Sequence, residues 1–314
     1  MKPKVLAVGE ILWDLLPSGK QLGGAPANFA YHARALGAEA RVCSRVGNDP
    51  LGREILGRLR SLGLPTDGVG VDATAPTGTV SVELAADGQP RFTIHENVAW
   101  DRLVADEASL AFAARADAVC FGSLAQRSEP SRGSIRKLVA ATPATALRVF
   151  DINLRQQFFS REVVEESLRL ANVLKLNDTE LPVLAAMFGL TGGVREQLAA
   201  LAERFGLRAV ALTRGAHGSL LCVAASLRDA DQDDGWGRSR SDRTTFSWSE
   251  HAGLSVKVVD SVGAGDAFTA AMALGLLAGR PLDEINRHAN EVAAYVCSQP
   301  GATPVLPASF KERQ

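Results

Sequence analysis

From about Glu107 onward, short apolar runs alternate with longer amphipathic stretches. Ala118–Gly122, Leu147–Ile152, Val173–Leu176 and Ala209–Thr213 are continuous apolar runs bounded by polar residues, which predicts buried strands. Pro130–Ala141, Arg161–Ala171 and Val194–Phe205 space their apolar residues three and four apart, which predicts helices. The N-terminal part reads in the same way. Val5–Gly9 and about Arg41–Val46 predict strands, and about Ala27–Leu36 and Arg53–Leu62 predict helices closed by Gly37 and Gly63. Strands alternating with helices imply a parallel sheet covered on both faces.

Two stretches break this rhythm. Gly78–Leu84 alternates with period two, Asp87-Gly88 is a hairpin signal, and Pro90–Glu96 is the returning strand. Glu10–Pro17 alternates imperfectly. A two-stranded hairpin is marginal alone. These segments, at about 10–20 and 78–100, therefore predict a small β flap set off the main sheet of a single domain spanning 1–314. Toward the C-terminus, Ser219–Val223 predicts a strand and Arg228–Arg243 an exposed polar loop. Asp231-Gln232-Asp233-Asp234-Gly235 superficially resembles the start of a calcium loop but lacks its spaced ligands and closing Glu. Val256–Val259 predicts a strand running into a glycine turn, followed by a helix ending at Gly279-Arg280-Pro281 and another over Asp283–Cys297.

Composition narrows the function classes. The net charge is −1 and there is no long basic run, which argues against nucleic acid or an anionic membrane as the partner. Cys43, Cys120, Cys222 and Cys297 lie far apart among apolar neighbours. They predict buried thiols in a reducing compartment, not zinc or a disulfide framework. The apolar run at the N-terminus is short and broken by Glu10 and Asp14, so it reads as a strand and not a signal peptide. No predicted helix reaches the roughly 20 apolar residues of a membrane span. A cytoplasmic protein is expected.

The chemistry concentrates in two glycine turns that each open a helix. One is Gly23-Gly24-Ala25-Pro26-Ala27-Asn28. The other is Asp260-Ser261-Val262-Gly263-Ala264-Gly265-Asp266. Glycines let backbone approach a ligand closely, and the free N–H groups of a first helical turn favour an anion. A carboxylate, Asp266, in such an anion-friendly place makes sense if the anion is a phosphoryl group in transit and the acid takes a proton from the acceptor. Otherwise Asp266 is a helix-start capping group.

The second turn resembles the C-terminal signature of PfkB-type (ribokinase-like) carbohydrate kinases, and the first resembles their N-terminal signature in its fructokinase form. Gly9-Glu10-x-x-x-Asp14, Gly47-x-Asp49-x-x-Gly52, Asp151-x-Asn153-x-Arg155, Asn177-x-x-Glu180 and Thr213-Arg214-Gly215-x-x-Gly218 also match, in order, from Val5 to about Pro304. Ser261 stands where threonine is commonest. The resemblance implies a three-layer αβα sandwich with a mostly parallel central sheet and a small β-sheet lid. It also implies transfer of a phosphoryl group from ATP to a free sugar. In that reading Asp266 is the general base, and the N–H groups of Gly263, Ala264 and Gly265 hold the transferring group. Asp14, Gly23, Gly24, Asn28, Gln126 and Arg155 face the sugar. Asn177, Thr213, Gly215, Gly218 and Asn290 face ATP. Glu180 serves Mg²⁺ through water, and Asp260 and Val262, with Val296–Gly301, border a monovalent-cation loop suited to K⁺. A homodimer through the lid is expected. Asn28 can equally bond its own backbone, Arg155 can be a surface ion pair, Asn290 can be ordinary helix surface, and Phe92 and Ile94 can either line the flap or merely pack it.

Fructose is the favoured substrate. A sugar acid such as 2-keto-3-deoxygluconate is the rival, because Arg155 and Arg91 could pair with a carboxylate. A catalytically silent sugar-binding regulator is a second class. A dinucleotide oxidoreductase is excluded by position: no Gly-x-Gly-x-x-Gly follows the first strand.

Overall fold

The computed structural model describes residues 2–16, 19–84, 90–224 and 245–312. The Asp87-Gly88 turn and the polar stretch 228–243, with its calcium-like acids, lie outside the described residues.

The chain runs β1 (Lys4–Val8), β2 (Leu12–Leu16), β3 (Gly19–Gly23), α1 (Ala25–Ala35), β4 (Glu39–Gly47), α2 (Pro50–Ser61), β5 (Val69–Asp72), β6 (Gly78–Leu84) and β7 (Pro90–Ile94). It continues through α3 (Glu107–Ala113), β8 (Ala118–Phe121), α4 (Glu129–Ala140), β9 (Leu147–Asp151), α5 (Arg161–Leu170), β10 (Val173–Asn177), α6 (Glu180–Phe188), α7 (Val194–Phe205) and β11 (Ala209–Thr213). It closes with β12 (Ser219–Ala224), β13 (Phe246–His251), α8 (Ala264–Leu277), α9 (Leu282–Cys297) and α10 (Ala308–Glu312).

Nine strands form the main sheet in the order β13-β12-β11-β10-β9-β8-β1-β4-β5. Every pairing from β11 to β5 is parallel; β12 and β13 add antiparallel strands at one edge. Period-two alternation divides the core. In β1, Val5 and Ala7 pack with α1, α2, α8 and α9, whereas Leu6 and Val8 pack with helices α3 to α7. Val149 and Phe150 of β9 divide in the same way. These are the three layers.

A four-stranded sheet, β3-β2-β6-β7, forms the second layer system and covers one end of the first. The hairpin β6–β7 pairs antiparallel, Val80 opposite Ile94, and β2 joins it in parallel. The sequence pattern predicted the β6–β7 hairpin but left β3 unread.

The Gly47-x-Asp49-x-x-Gly52 motif ties the lid to the sheet. Asp49 caps α2 by accepting from Gly52 N at 2.8 Å. It also accepts from Thr77 N and Thr77 Oγ1, at 2.8 and 2.7 Å, immediately before β6. A Cβ on Gly52 would lie 2.2 Å from Gly47 O, so that position admits no side chain. Asp49→Ala removes three bonds at once, the cap among them. It should lower stability by about 2 kcal/mol, seen as a lower urea midpoint with an unchanged slope. An unchanged midpoint would show that the knot adds nothing.

Val256–Val259 is not a strand. β13 already occupies the sheet edge, and Gly253 (φ +87) turns the chain away, packed so closely that a Cβ would meet Ala216 O at 2.2 Å. The segment is instead pinned to the end of α9, with Val259 N donating to Cys297 O at 2.8 Å. Cys43, Cys120 and Cys222 are buried and free as expected; Cys297 is half-buried. Among the described residues no helix is long and apolar enough to cross a membrane.

Candidate active site

A cleft of about 1550 Å³ opens at the C-terminal ends of β9, β10 and β11, under the small sheet. This is where open α/β sheets hold ligands. Two helix starts face it. α1 begins after Gly24 (φ +108), whose Cβ would lie 2.5 Å from Glu10 O. α8 begins after Gly263 (φ +79, left-handed), whose Cβ would meet Ala302 O at 2.5 Å. Only glycine satisfies both the dihedral and the space at these two points. The two turns meet directly: Asn28 Nδ2 donates to Asp266 Oδ2 at 2.9 Å, across 238 residues of sequence.

Asp266 lies in the first turn of α8, where backbone N–H groups have no preceding helical carbonyl to bond. It is buried, and burial, reinforced by the charge of Asp151, lifts its pKa to about 6; the Asn28 bond, Lys175 and Arg155 oppose that rise. Beneath it runs a buried ion pair, Lys175 Nζ to Asp151 Oδ1 at 3.1 Å, with Thr269 Oγ1 2.8 Å from Asp151 Oδ2. A Cβ on Gly265 would stand 3.1 Å from Lys175 Nζ, so the cation sits directly behind the glycine turn. Glu10 and Asp14 bring further acid to the same end of the cleft. Burial raises them to about 7 and about 6, with the charge of Arg155 pulling both down.

The cleft gathers most of the residues singled out in the sequence. Asp14, Gly23, Gly24, Asn28, Arg155, Asn177, Thr213, Gly215, Gly218, Asp260, Val262, Gly263–Asp266 and Asn290 all line it, as do Phe92 and Ile94 of the lid. Several spend their polar atoms on structure. Asn177 Oδ1 accepts from Thr179 N, Thr179 Oγ1 and Glu180 N, which starts α6. Asn290 Nδ2 donates to Ser219 Oγ at 2.7 Å. Asp260 clamps two loops, accepting from Val262 N and Gly301 N at 3.0 and 3.1 Å.

Two of the expected residues do not line the cleft. Gln126 is not in the cleft. Its short helical turn, Leu124–Arg127, rotates the side chain inward, where Nε2 lies 2.8 Å from both Gly122 O and Ser167 Oγ. Glu180 is buried and does not line the cleft either. Its two oxygens accept from Leu154 N and Asn177 N at 2.9 and 2.8 Å, so its carboxylate holds the loops after β9 and β10 together. The side chain of Arg91 lies outside the described residues.

Lys175, Asp151 and Glu10 were not read as site residues from the sequence. A signal for the first pair existed: Lys175 interrupts an apolar strand and pairs in register with Asp151 of the neighbouring parallel strand. A buried charge calls for a partner.

Comparison with known proteins agrees with this geometry. The model of the pfkB family carbohydrate kinases matches residues 18–309. The fructokinase of Escherichia coli is 30% identical over 329 residues, covering 98% of this chain and 97% of that one. Among solved structures, a double mutant of the Vibrio cholerae fructokinase, bound to fructose, ADP and potassium ion, superposes with a TM-score of 0.76 at 25% identity, covering 99% of this chain and 97% of that one. A sugar kinase of Pyrococcus horikoshii in complex with ATP gives 0.74 at 27%, covering 95% and 94%. The fold is ribokinase-like. With the family match spanning both glycine turns and lid strands β3, β6 and β7, this chain belongs to the pfkB family of carbohydrate kinases and is a phosphotransferase acting on a sugar.

Proposed function

We propose that the enzyme transfers the γ-phosphoryl group of ATP to a hydroxyl of a free neutral ketose, with fructose the preferred acceptor. The observation that carries this reading is the charge at the lid end of the cleft. Asp14 and Asp266 converge there with Arg155 as the facing cation. Carboxylates accept from hydroxyls, so such a wall suits a polyol and disfavours a second anion. The relatives named fructokinase support the choice.

Phosphoryl transfer is mostly positioning and charge stabilisation. Asp266 accepts the proton of the attacking hydroxyl. The N–H groups of Gly263, Ala264 and Gly265 hold the phosphoryl as charge builds on it. Asp14, Gly23, Gly24, Asn28 and Arg155 hold the sugar. Thr213, Gly215, Gly218 and Asn290 border the nucleotide, and Asn177 sets the loop beneath it. Mg²⁺ retains several waters and needs one or two carboxylates plus the nucleotide phosphates, so it enters with ATP. K⁺ is assigned to the clamped loops around Asp260 and Val262. The lid sheet, with edge strands β3 and β7, is the proposed homodimer contact, and the cytoplasm the proposed location.

Incubation with Mg-ATP and a panel of free sugars and sugar acids, reading ADP release, tests this. Fructose should give the highest kcat/KM. Turnover confined to 2-keto-3-deoxygluconate would overturn the substrate and make Arg155 a carboxylate partner. No sugar-stimulated turnover would leave a sugar-binding protein on this fold.

A further inference from the structure

α1 grips the second glycine turn at both ends, and both contacts come from one face of the helix. Asn28 and His32 are buried and lie four residues apart, one above the other. Asn28 Nδ2 donates to Asp266 at one end of the turn. His32 reaches the other end through a neighbour. Its Nε2 lies 2.9 Å from Ala302 O, and Ala302 is the residue against which Gly263 rests. A Cβ on Gly263 would stand 2.5 Å from Ala302 O and 2.8 Å from Ala302 Cα and Cβ. Two further bonds hold the flanks of Ala302. Gly301 N donates to Asp260 Oδ2 at 3.1 Å, and Tyr31 Oη donates to Pro304 O at 2.9 Å. His32 fixes Ala302 itself.

A histidine is costly at this position. His32 is 0% exposed, on a helix that packs Phe29, Ala30 and Ala33 into the core. A buried polar ring has to be offset by a partner, and the Ala302 carbonyl is that partner. The partners also say which nitrogen carries the proton. A carbonyl only accepts, so Nε2 must donate. Nδ1 is buried and, among the described residues, has no partner, so a proton there would be unbonded. Burial, against the Ala302 bond, pulls the imidazole pKa down to about 4, which leaves the ring neutral. Donors stabilise a transferring group best when they are fixed before it arrives, and the Gly263, Ala264 and Gly265 N–H groups sit between these two anchors.

We propose that His32 is a positioning residue: its Nε2–H holds the Ala302 carbonyl against Gly263 and so sets, from the opposite end to Asn28, where the N–H groups of Gly263, Ala264 and Gly265 point. The inference rests on the reading of those groups as the phosphoryl site. His32 itself touches neither substrate; it acts through Ala302.

His32→Gln keeps a donor of similar reach, and His32→Leu fills the space without one. With Mg-ATP and the sugar turned over fastest, H32L should lower kcat about tenfold, less than the ~10²–10³-fold lost with a whole oxyanion donor. KM for sugar and ATP should stay within about twofold, the mark of an interaction felt only in the transition state. H32Q should restore most of the rate. An H32Q variant as slow as H32L, or an H32L variant that raises KM as much as it lowers kcat, would overturn the proposal. A second measurement needs no turnover. In proton–nitrogen spectra of the ligand-free proteins, the Gly263, Ala264 and Gly265 amide signals should move in H32L and return in H32Q. The wild-type imidazole at neutral pH should carry its proton on Nε2, with Nδ1 bare. Amides that stay in place in H32L or remain displaced in H32Q, or a proton on Nδ1, overturn the proposal whatever the sugar. Amides that move in H32L and return in H32Q while kcat holds support the anchor and instead remove the turn from phosphoryl transfer.

Discussion

Asp266→Asn should lower kcat by ~10²–10⁴-fold, the usual contribution of a positioned general base. The substitution preserves shape, and the amide oxygen can still accept from Asn28 Nδ2, the bond now 2.9 Å long. Binding of sugar and nucleotide should therefore persist, and isothermal titration of each ligand into the variant checks that separately from turnover. The pH dependence follows from the raised pKa. Burial carries Asp266 from an ordinary carboxyl value to about 6. Above that pH the group is ionised and can accept a proton. As pH falls through about 6 it protonates, and kcat/KM should drop tenfold per unit. In the Asn variant the residual rate should lack this limb.

Stability should move in the opposite direction. A carboxyl with a folded pKa above its unfolded one binds its proton more tightly in the folded state. Its ionisation therefore costs nothing below the unfolded pKa, near 3.8, and costs its full amount above about 6. Removing the charge at pH 7.5 should stabilise the fold by on the order of 2 kcal/mol, a gain in midpoint beside a loss of activity. A variant that keeps near-wild-type turnover would remove Asp266 from the chemistry. One that loses both turnover and stability would make it a structural cap.

What the sequence revealed follows from how each feature is encoded. β1 and β8 to β11 announced themselves because strands buried on both faces are continuous apolar runs. The glycine turns were legible because Gly24 and Gly263 occupy dihedrals that other residues resist. β3, with the sequence Gly-Lys-Gln-Leu-Gly, carries no such pattern; it becomes a strand only by pairing with β2. Val256 to Val259 failed for the reverse reason. Its β-branched composition suits a strand, but the sheet edge was already taken. Within the site, Glu180 was legible as an acid in a motif but not as a clamp, since its partners are backbone N–H groups with no sequence signature. Gln126 sat in the expected place beyond a strand end, and a single helical turn decided which way it faced.

Lys175→Met should cost about 3–5 kcal/mol of stability, because it removes one member of a buried ion pair and leaves the other charge unpaired. Lys175 and Asp151 side chains are 7% and 6% exposed. Burial alone would lower the lysine pKa, yet the charges of Asp151, Glu180 and Asp266 raise it instead. Lys175 is therefore held charged by three acids. Without it, Asp151 retains the Thr269 hydroxyl and must either stay ionised in the interior or take up a proton. The double variant K175M/D151N removes both charges and should recover most of the loss, since deleting a whole buried pair is far cheaper than breaking it. Urea denaturation of the wild type, both single variants and the double variant closes the cycle, and the coupling term reports the pair directly. If the double variant is as unstable as K175M, packing around the methylene stem, and not charge, sets the cost. The same cycle reaches the chemistry. Lys175 lowers the pKa of Asp266 and Asp151 raises it, so the two single variants should displace the acid limb of kcat/KM in opposite directions. D151N, stripping away a negative neighbour, should move it to lower pH. K175M should move it to higher pH to the extent that Asp151 remains ionised. The pair thus joins a structural decision, where to bury two charges, to a catalytic one, the pH at which the base becomes available.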